Sequence, residues 1–289
     1  MSGTQLILVA NPGSASRKYA LYEAGTLHQR ANLHFEVEAG VVVCTLSTST
    51  TMKRVDTSAS TIADAIKEVV AILTREEIMS ETESIHAIGL RIVAPSAYFM
   101  QDHVVTDEVA AKLASIEHLA PLHITATLGE LSTLRELFGY IPIVGASDSA
   151  FHRTKPNYAW NYGIDIHDAD RLDIKRFGYH GLSVGSAINE LWNKGKLPPK
   201  VIVCHLGSGA SVTGVFHGRE ESGLGRPVPL LHFSEDCGRH IRGEQNLIHG
   251  RIDIVRQVGR DAGVRRGCQS RLGVHREREV ALEGVRKVS

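Results

Sequence analysis

The chain has 289 residues, with 32 Lys and Arg against 32 Asp and Glu. That length suits about two domains with a sizeable core, and the balanced charge gives no electrostatic footprint for nucleic acid. No apolar run reaches the ~20 residues that a membrane-spanning helix needs, and the amino terminus lacks a basic stretch leading into an apolar one, so a cytoplasmic protein away from any membrane is expected.

Residues 6–22 read LILVANPGSASRKYALY. A strand-length apolar run, a Gly/Ser turn and a second such run predict a β-hairpin. Residues 41–46 predict a further strand and residues 47–51 a polar turn. Residues 58–75 place Ile62, Ile66, Val69, Val70 and Leu73 at helical spacing, with Ser and Thr available as caps. A buried strand is expected over 86–93, helices over 106–116 and 126–138, a strand over 141–146 and a helix over 182–192. Residues 201–216, VIVCHLGSGASVTGVF, then repeat the opening hairpin. The alternation predicts an α/β fold, with a first domain ending near residue 150 and a second starting around 158–163.

The repeated hairpin is the strongest functional signal. Small residues let the backbone of such a turn approach a ligand closely, and its N–H groups and hydroxyls can point at phosphate oxygens. Two such loops suit a polyphosphate gripped from both sides. Neither has the G-x-x-x-x-G-K-[ST] spacing of a P-loop, nor G-x-G-x-x-G opening a helix.

N-P-G-S-A-S-R-K at 11–18 resembles the N-x-G-S-[ST]-S-x-K signature of acetate kinases and related short-chain acyl kinases. In the same order, G-L-R-I-V at 89–93 resembles G-H-R-V-V, and A-P-L-H at 120–123 matches A-P-L-H. S-D-S-A-F-H-R-T-K-P at 147–156 resembles F-D-T-A-F-H-x-T-x-P, and R-F-G-Y-H-G-L-S at 176–183 resembles R-Y-G-F-H-G-T-S. C-H-L-G-S-G-A-S at 204–211 is close to C-H-L-G-N-G-A-S. The resemblance covers roughly residues 5–225. It implies duplicated actin-like ATPase (ribonuclease H-like) domains, the second truncated or atypical. It also implies transfer of a phosphoryl group between ATP and acetate or another short-chain carboxylate, giving ADP and acyl phosphate, with Mg²⁺ bound and a homodimer as the usual assembly.

Phosphoryl transfer to a carboxylate sets anions against one another, so the site needs cations and oriented donors. Arg91 offers a planar fork for carboxylate or phosphate and matches the family's substrate-binding Arg. Asp148 follows an apolar run, at the strand end where α/β sites gather, and matches the catalytic Asp; by resemblance it and Asn11 would serve Mg²⁺. His180 matches a His that donates to the phosphoryl group in flight. Asn11, Ser14, Ser16 and Lys18 from the first loop, and His205, Gly207, Ser208 and Gly209 from the second, would contact the phosphates of ATP. Val93, Leu122, His123 and Tyr179 match positions of a small acyl pocket. His152 reads as scaffold.

Ala94-Pro95-Ser96 stand where the family has H-G-G, and Ile124-Thr125 where it has N-P. Beyond residue 225 no family motif is recognisable. Residues 226–289 form an unmatched tail with 13 Lys and Arg, 12 of them Arg, against 8 Asp and Glu, and Phe233 is their single aromatic residue. A nucleic-acid arm would interleave aromatics with its cations. A shifted reading frame accounts for both the change of composition and the end of the resemblance, and implies the alternative of an inactive or partner-dependent fragment. Cys44, Cys204, Cys237 and Cys268 lack metal or disulfide spacing and read as buried thiols.

Overall fold

The computed structural model describes residues 4–139, 141–206 and 209–216, and the backbone of 219–220, 223–224, 228–236 and 253–258. They fall into two units that meet in sequence between Ala150 and Phe151.

The first unit opens with five strands: β1 (Gln5–Pro12), β2 (Ser16–Glu23), β3 (Gln29–Glu38), β4 (Val41–Ser47) and β5 (Met52–Val55), each antiparallel to the one before. β1 and β2 are the expected hairpin, with Pro12 opposite Arg17. A single 3₁₀ turn, Ile62–Asp64, leads into helix α1 (Ala65–Arg75). The Asp64 carboxylate accepts from the Thr61 N–H and hydroxyl, so the helix expected from residue 58 winds its regular turns later, behind this cap. α1 buries Ala65, Ile66, Val69, Ile72 and Leu73, the i, i+3, i+4 stripe of a core-facing helix.

Strand β6 (Ser84–Ile92) returns parallel to β1, and β8 (Ile143–Ser147) runs parallel to β6. Between them lie β7 (His103–Val104), α2 (Asp107–Ser115) and α3 (Pro121–Phe138). α3 begins five residues before the expected start, because Pro121 at its first turn is pre-set for a helix. The sheet order is β5-β4-β3-β2-β1-β6-β8-β7. Leu6, Leu8, Leu33, Phe35, Ile88 and Leu90, alternating along their strands, meet Ile66, Ile72 and Leu73 in one core. Each such burial stabilises by about 1.5–3 kcal/mol.

The second unit carries the short helices α4 (Asn157–Trp160) and α5 (Ile166–Arg171), then α6 (Gly181–Asn193). Strands β9 (Lys200–Leu206) and β10 (Gly209–Phe216) form the second hairpin, and α6 packs Val184, Ala187, Ile188 and Leu191 on Val201, Val203 and Val215. After the two-residue strands β11 (Arg219–Glu220) and β12 (Gly223–Leu224) come β13 (Val228–Asp236), antiparallel to β10, and β14 (Asp253–Val258), parallel to β9. The order β13-β10-β9-β14 repeats β3-β2-β1-β6 strand for strand, with the same two antiparallel pairings and one parallel pairing. Two of these strands lie in the Arg-rich stretch, where composition alone announced none.

Cys44 is buried as a free thiol and Cys204 is half-buried; Cys237 and Cys268 lie outside the described residues. No helix among the described residues is long and apolar enough to cross a membrane.

Candidate active site

Each unit holds a cluster of the expected residues. In the first, three neighbouring parallel strands deliver them to one sheet edge: Asn11 at the end of β1, Arg91 at the end of β6 and Asp148 one residue past β8. Carboxyl ends of parallel strands are where such folds present ligand-binding groups. Arg91 spans its neighbours, donating from Nη1 to Asn11 Oδ1 at 3.0 Å and to Asp148 Oδ2 from Nη2 at 2.5 Å and Nε at 3.2 Å.

Asp148 is 1% exposed, whereas the Arg91 side chain keeps 29% of its surface. The buried carboxylate therefore anchors a guanidinium that stays partly accessible. The Asp148 N–H is fixed on the Ile92 carbonyl at 3.0 Å. Ser147 beside it donates its N–H to Asp102 at 2.8 Å and its hydroxyl to the Phe99 carbonyl. The segment after β6, where Ala94-Pro95-Ser96 depart from the family pattern, is thus tied to the residue preceding Asp148.

The first hairpin turn is closed by the Gly13 N–H on the Ser16 carbonyl at 2.9 Å. A Cβ on Gly13 would stand 3.0 Å from that same oxygen, so only glycine fits without a shift. Ser14 is exposed, and Ser16 and Lys18 half-buried. Val93 is buried, while His123 is exposed and Leu122 is 72% exposed, both in the first turn of α3. Leu122 thus stands open on the first unit.

In the second unit His180 and His205 stack with ring centroids 4.1 Å apart. His180 caps α6 in the left-handed backbone region, φ 60°, a conformation that costs a non-glycine residue about 1–2 kcal/mol and persists only where surrounding structure enforces it. Its Nδ1 lies 3.0 Å from the Ser211 hydroxyl, and His205 Nδ1 lies 3.0 Å from that of Ser183. These two serines complete the cluster, although the motifs single out neither; the available signal is that each closes one of the two motifs carrying the histidines. Gly209 approaches the pair so closely that a Cβ would lie 3.2 Å from His180 Nε2.

Tyr179 presents its carbonyl to His152 Nε2 at 3.0 Å. A carbonyl only accepts, so that nitrogen carries the proton, and His152, fully buried, acts as scaffold for the motif. Gly207 and Ser208 lie outside the described residues. No group of three or more His, Cys, Asp or Glu side chains stands ready for a metal among the described residues; the oxygen donors at the sheet edge are Asn11 and Asp148.

Two sheets of one strand order, each opening on a Gly/Ser hairpin beside a polar cluster, define the actin-like ATPase class of folds. Within that class the Acetokinase family model matches residues 6–223, and the chain belongs to that family. It is 33% identical to the acetate kinase of Lachnoclostridium phytofermentans over 227 residues, 73% of this chain and 55% of the relative. Identity to a Clostridium botulinum acetate kinase is 31% over 241 residues, 80% of this chain and 60% of the relative. Among solved structures it is similar to Porphyromonas gingivalis acetate kinase, with TM-score 0.63 and 26% identity over 79% of this chain and 57% of that one. It is also similar to a propionate kinase from Francisella tularensis, with TM-score 0.65 and 25% identity over 79% and 56%. The chain spans a little over half the length of the relatives it matches.

Proposed function

We propose that the chain carries the phosphoryl-transfer machinery of an acyl kinase, moving the terminal phosphate of ATP directly onto a short-chain carboxylate. The observation that carries this reading is the Arg91 fork held between Asn11 and Asp148 while its side chain stays partly exposed. A guanidinium so placed can neutralise an incoming carboxylate and the phosphoryl oxygens it attacks, which is where charge gathers in the transition state.

Val93, Leu122, His123 and Tyr179 are proposed to select the acyl group. The Gly13–Ser16 turn and Lys18 would hold phosphate on the first unit, with His205 and residues 207–209 on the second. His180, its ring oriented by Ser211, would donate to the phosphoryl group. The donors at the sheet edge fit Mg²⁺, which binds through one or two carboxylates together with phosphate oxygens and water. Asp148 and Asn11 would hold it there, and when bound it neutralises charge on the transferred phosphate. ATP, ADP, the carboxylate and its acyl phosphate are the proposed partners, a homodimer the proposed assembly and the cytoplasm the proposed setting.

A second reading is favoured by the coverage: the relatives extend well beyond the matched region, so the chain can be an inactive or partner-dependent part of such an enzyme. Acyl phosphate trapped with hydroxylamine, from MgATP with acetate, propionate or butyrate, decides between them. Turnover by the purified chain that vanishes in Asp148→Ala supports the kinase; no turnover by folded protein supports the second reading.

A further inference from the structure

Behind the first phosphate hairpin lies a buried polar cluster that the reaction does not use. Arg17 and Tyr19 share one face of β2, two residues apart, and are 5% and 2% exposed. Glu130, from the middle of α3, is 3% exposed, and its Oε2 stands 3.4 Å from Arg17 Nε. The hydrogen-bonding capacity is incompletely used: Arg17 Nε and Nη1, Glu130 Oε1 and the Tyr19 hydroxyl are buried without a hydrogen-bond partner.

Burying two charges costs about as much as their attraction returns, and well-packed apolar residues in their place are commonly neutral or stabilising. Stability alone is thus a weak reason for the pair. Its location supplies another. Arg17 is the register partner of Pro12 and lies between Ser16 and Lys18, so its backbone forms the rim of the hairpin. Glu130 sits roughly two turns beyond Leu122 and His123 on the same helix.

We infer that Arg17 and Glu130 are a buried positioning pair that fixes the phosphate hairpin of residues 12–16 against helix α3, and thereby sets the phosphate-gripping loop relative to the helix bearing Leu122 and His123. The importance of this setting for phosphoryl transfer rests on the proposed function; the coupling of hairpin to helix does not. At a pH where both groups are charged a one-sided loss leaves a buried charge, so Glu130→Gln mixes positioning with unfolding. The double change Arg17→Met with Glu130→Met removes both charges and keeps the volume.

Amide hydrogen exchange on the full chain, without nucleotide, reads the result. The Gly13 amide, bonded to Ser16 within the turn, is expected to exchange about tenfold or more faster in the double variant, while the amides of Leu33 and Phe35 in β3 hold their rates. Arg17→Lys, which keeps the charge, is expected to restore slow exchange at Gly13. Unchanged exchange at Gly13 would overturn the inference, as would uniform acceleration through β1–β4 or a double variant that does not fold, since each makes the pair a packing or stability element. MgADP added to the wild type tests the functional reading separately: failure to slow the hairpin amides counts against nucleotide binding and leaves the comparison between variants decisive.

Discussion

Arg91 and Asp148, 57 residues apart in sequence, are joined by two guanidinium nitrogens on a single carboxylate oxygen, Nη2 at 2.5 Å and Nε at 3.2 Å. Nη1 on Asn11 completes the hold, so all three guanidinium nitrogens are oriented while 29% of the side chain stays accessible. Arg91→Ala is expected to lower kcat/KM by about 10²–10³, the usual cost of one donor aimed at developing charge. Arg91→Lys should recover little of it, because a point-charge ammonium cannot hold Asn11 and Asp148 together. Asp148→Ala should also cost about 1–3 kcal/mol of stability, less than the ~3–5 kcal/mol of breaking a fully buried pair because Arg91 keeps contact with water. Steady-state acyl phosphate assays and calorimetry on the three variants read both effects, and a fully active Arg91→Lys would remove the fork from the mechanism.

Gly209 stands against His180 where a methyl group is a tight fit. In Gly209→Ala the new Cβ, 3.2 Å from Nε2, meets a ring stacked on His205 and held through Nδ1 by Ser211, so the ring must shift by a few tenths of an ångström. Misplacement on that scale is expected to cost about tenfold in kcat, with little change in KM for the carboxylate. The stability loss should be about 1 kcal/mol, a fall of roughly 2–4 °C in Tm. Kinetics together with the imidazole proton resonances of His180 test this; unchanged resonances with unchanged kcat would remove His180 from the transfer step.

Both hairpins and the strand ends bearing Arg91 and Asp148 could be read from the sequence because they combine long apolar runs with small-residue turns. β3 could not, since Asn32, His34 and Glu36 interrupt its apolar residues; only its alternation with Ala31, Leu33 and Phe35 shows which face is buried. The early start of α3 was hidden because Pro121 suggests a break yet favours a first turn. Arg17, Glu130 and Lys155 were hidden for a stronger reason. Charged side chains are mostly exposed unless paired, so their burial depends on partners far away in the chain, and no local pattern announces those. Ser183 and Ser211 were equally silent, as a serine at a motif's end does not reveal which histidine it will orient.

The buried carboxyl predicts an acid-side stability slope. Glu130 is pushed up to about 7, chiefly by burial, which the nearby Arg17 charge offsets only in part. In the unfolded chain it returns to about 4.3. Between those values the native state binds more proton than the unfolded state, so this group's contribution is fully present below about pH 4 and is lost as pH rises through 7. The loss is on the order of 3 kcal/mol. Glu130→Gln carries no titrating proton, and its denaturant stability should lack this component between pH 5 and 7.5. Equal slopes for the two proteins would place the ionisation elsewhere.

Lys155 predicts the opposite trend on the alkaline side. It is buried in the second unit, where its ammonium donates to the Arg176 carbonyl and lies 5.1 Å from the Trp160 ring centroid. Burial lowers it to about 8, with the Arg176 charge adding to the effect, against about 10.4 when unfolded. Between those values the unfolded chain holds more proton, so stability should rise with pH by on the order of 1–2 kcal/mol, discounted for the hydrated part of the side chain. In Lys155→Met the hydrogen bond and the ring contact disappear, a loss of about 1 kcal/mol, but so does the cost of a buried charge. The expected outcome is a Tm within a few degrees of wild type at pH 7 and no rise between pH 8 and 10. Thermal unfolding across that range, with the second hairpin followed by hydrogen exchange, checks it; a variant that keeps the wild-type rise would show that Lys155 is not the group losing its proton.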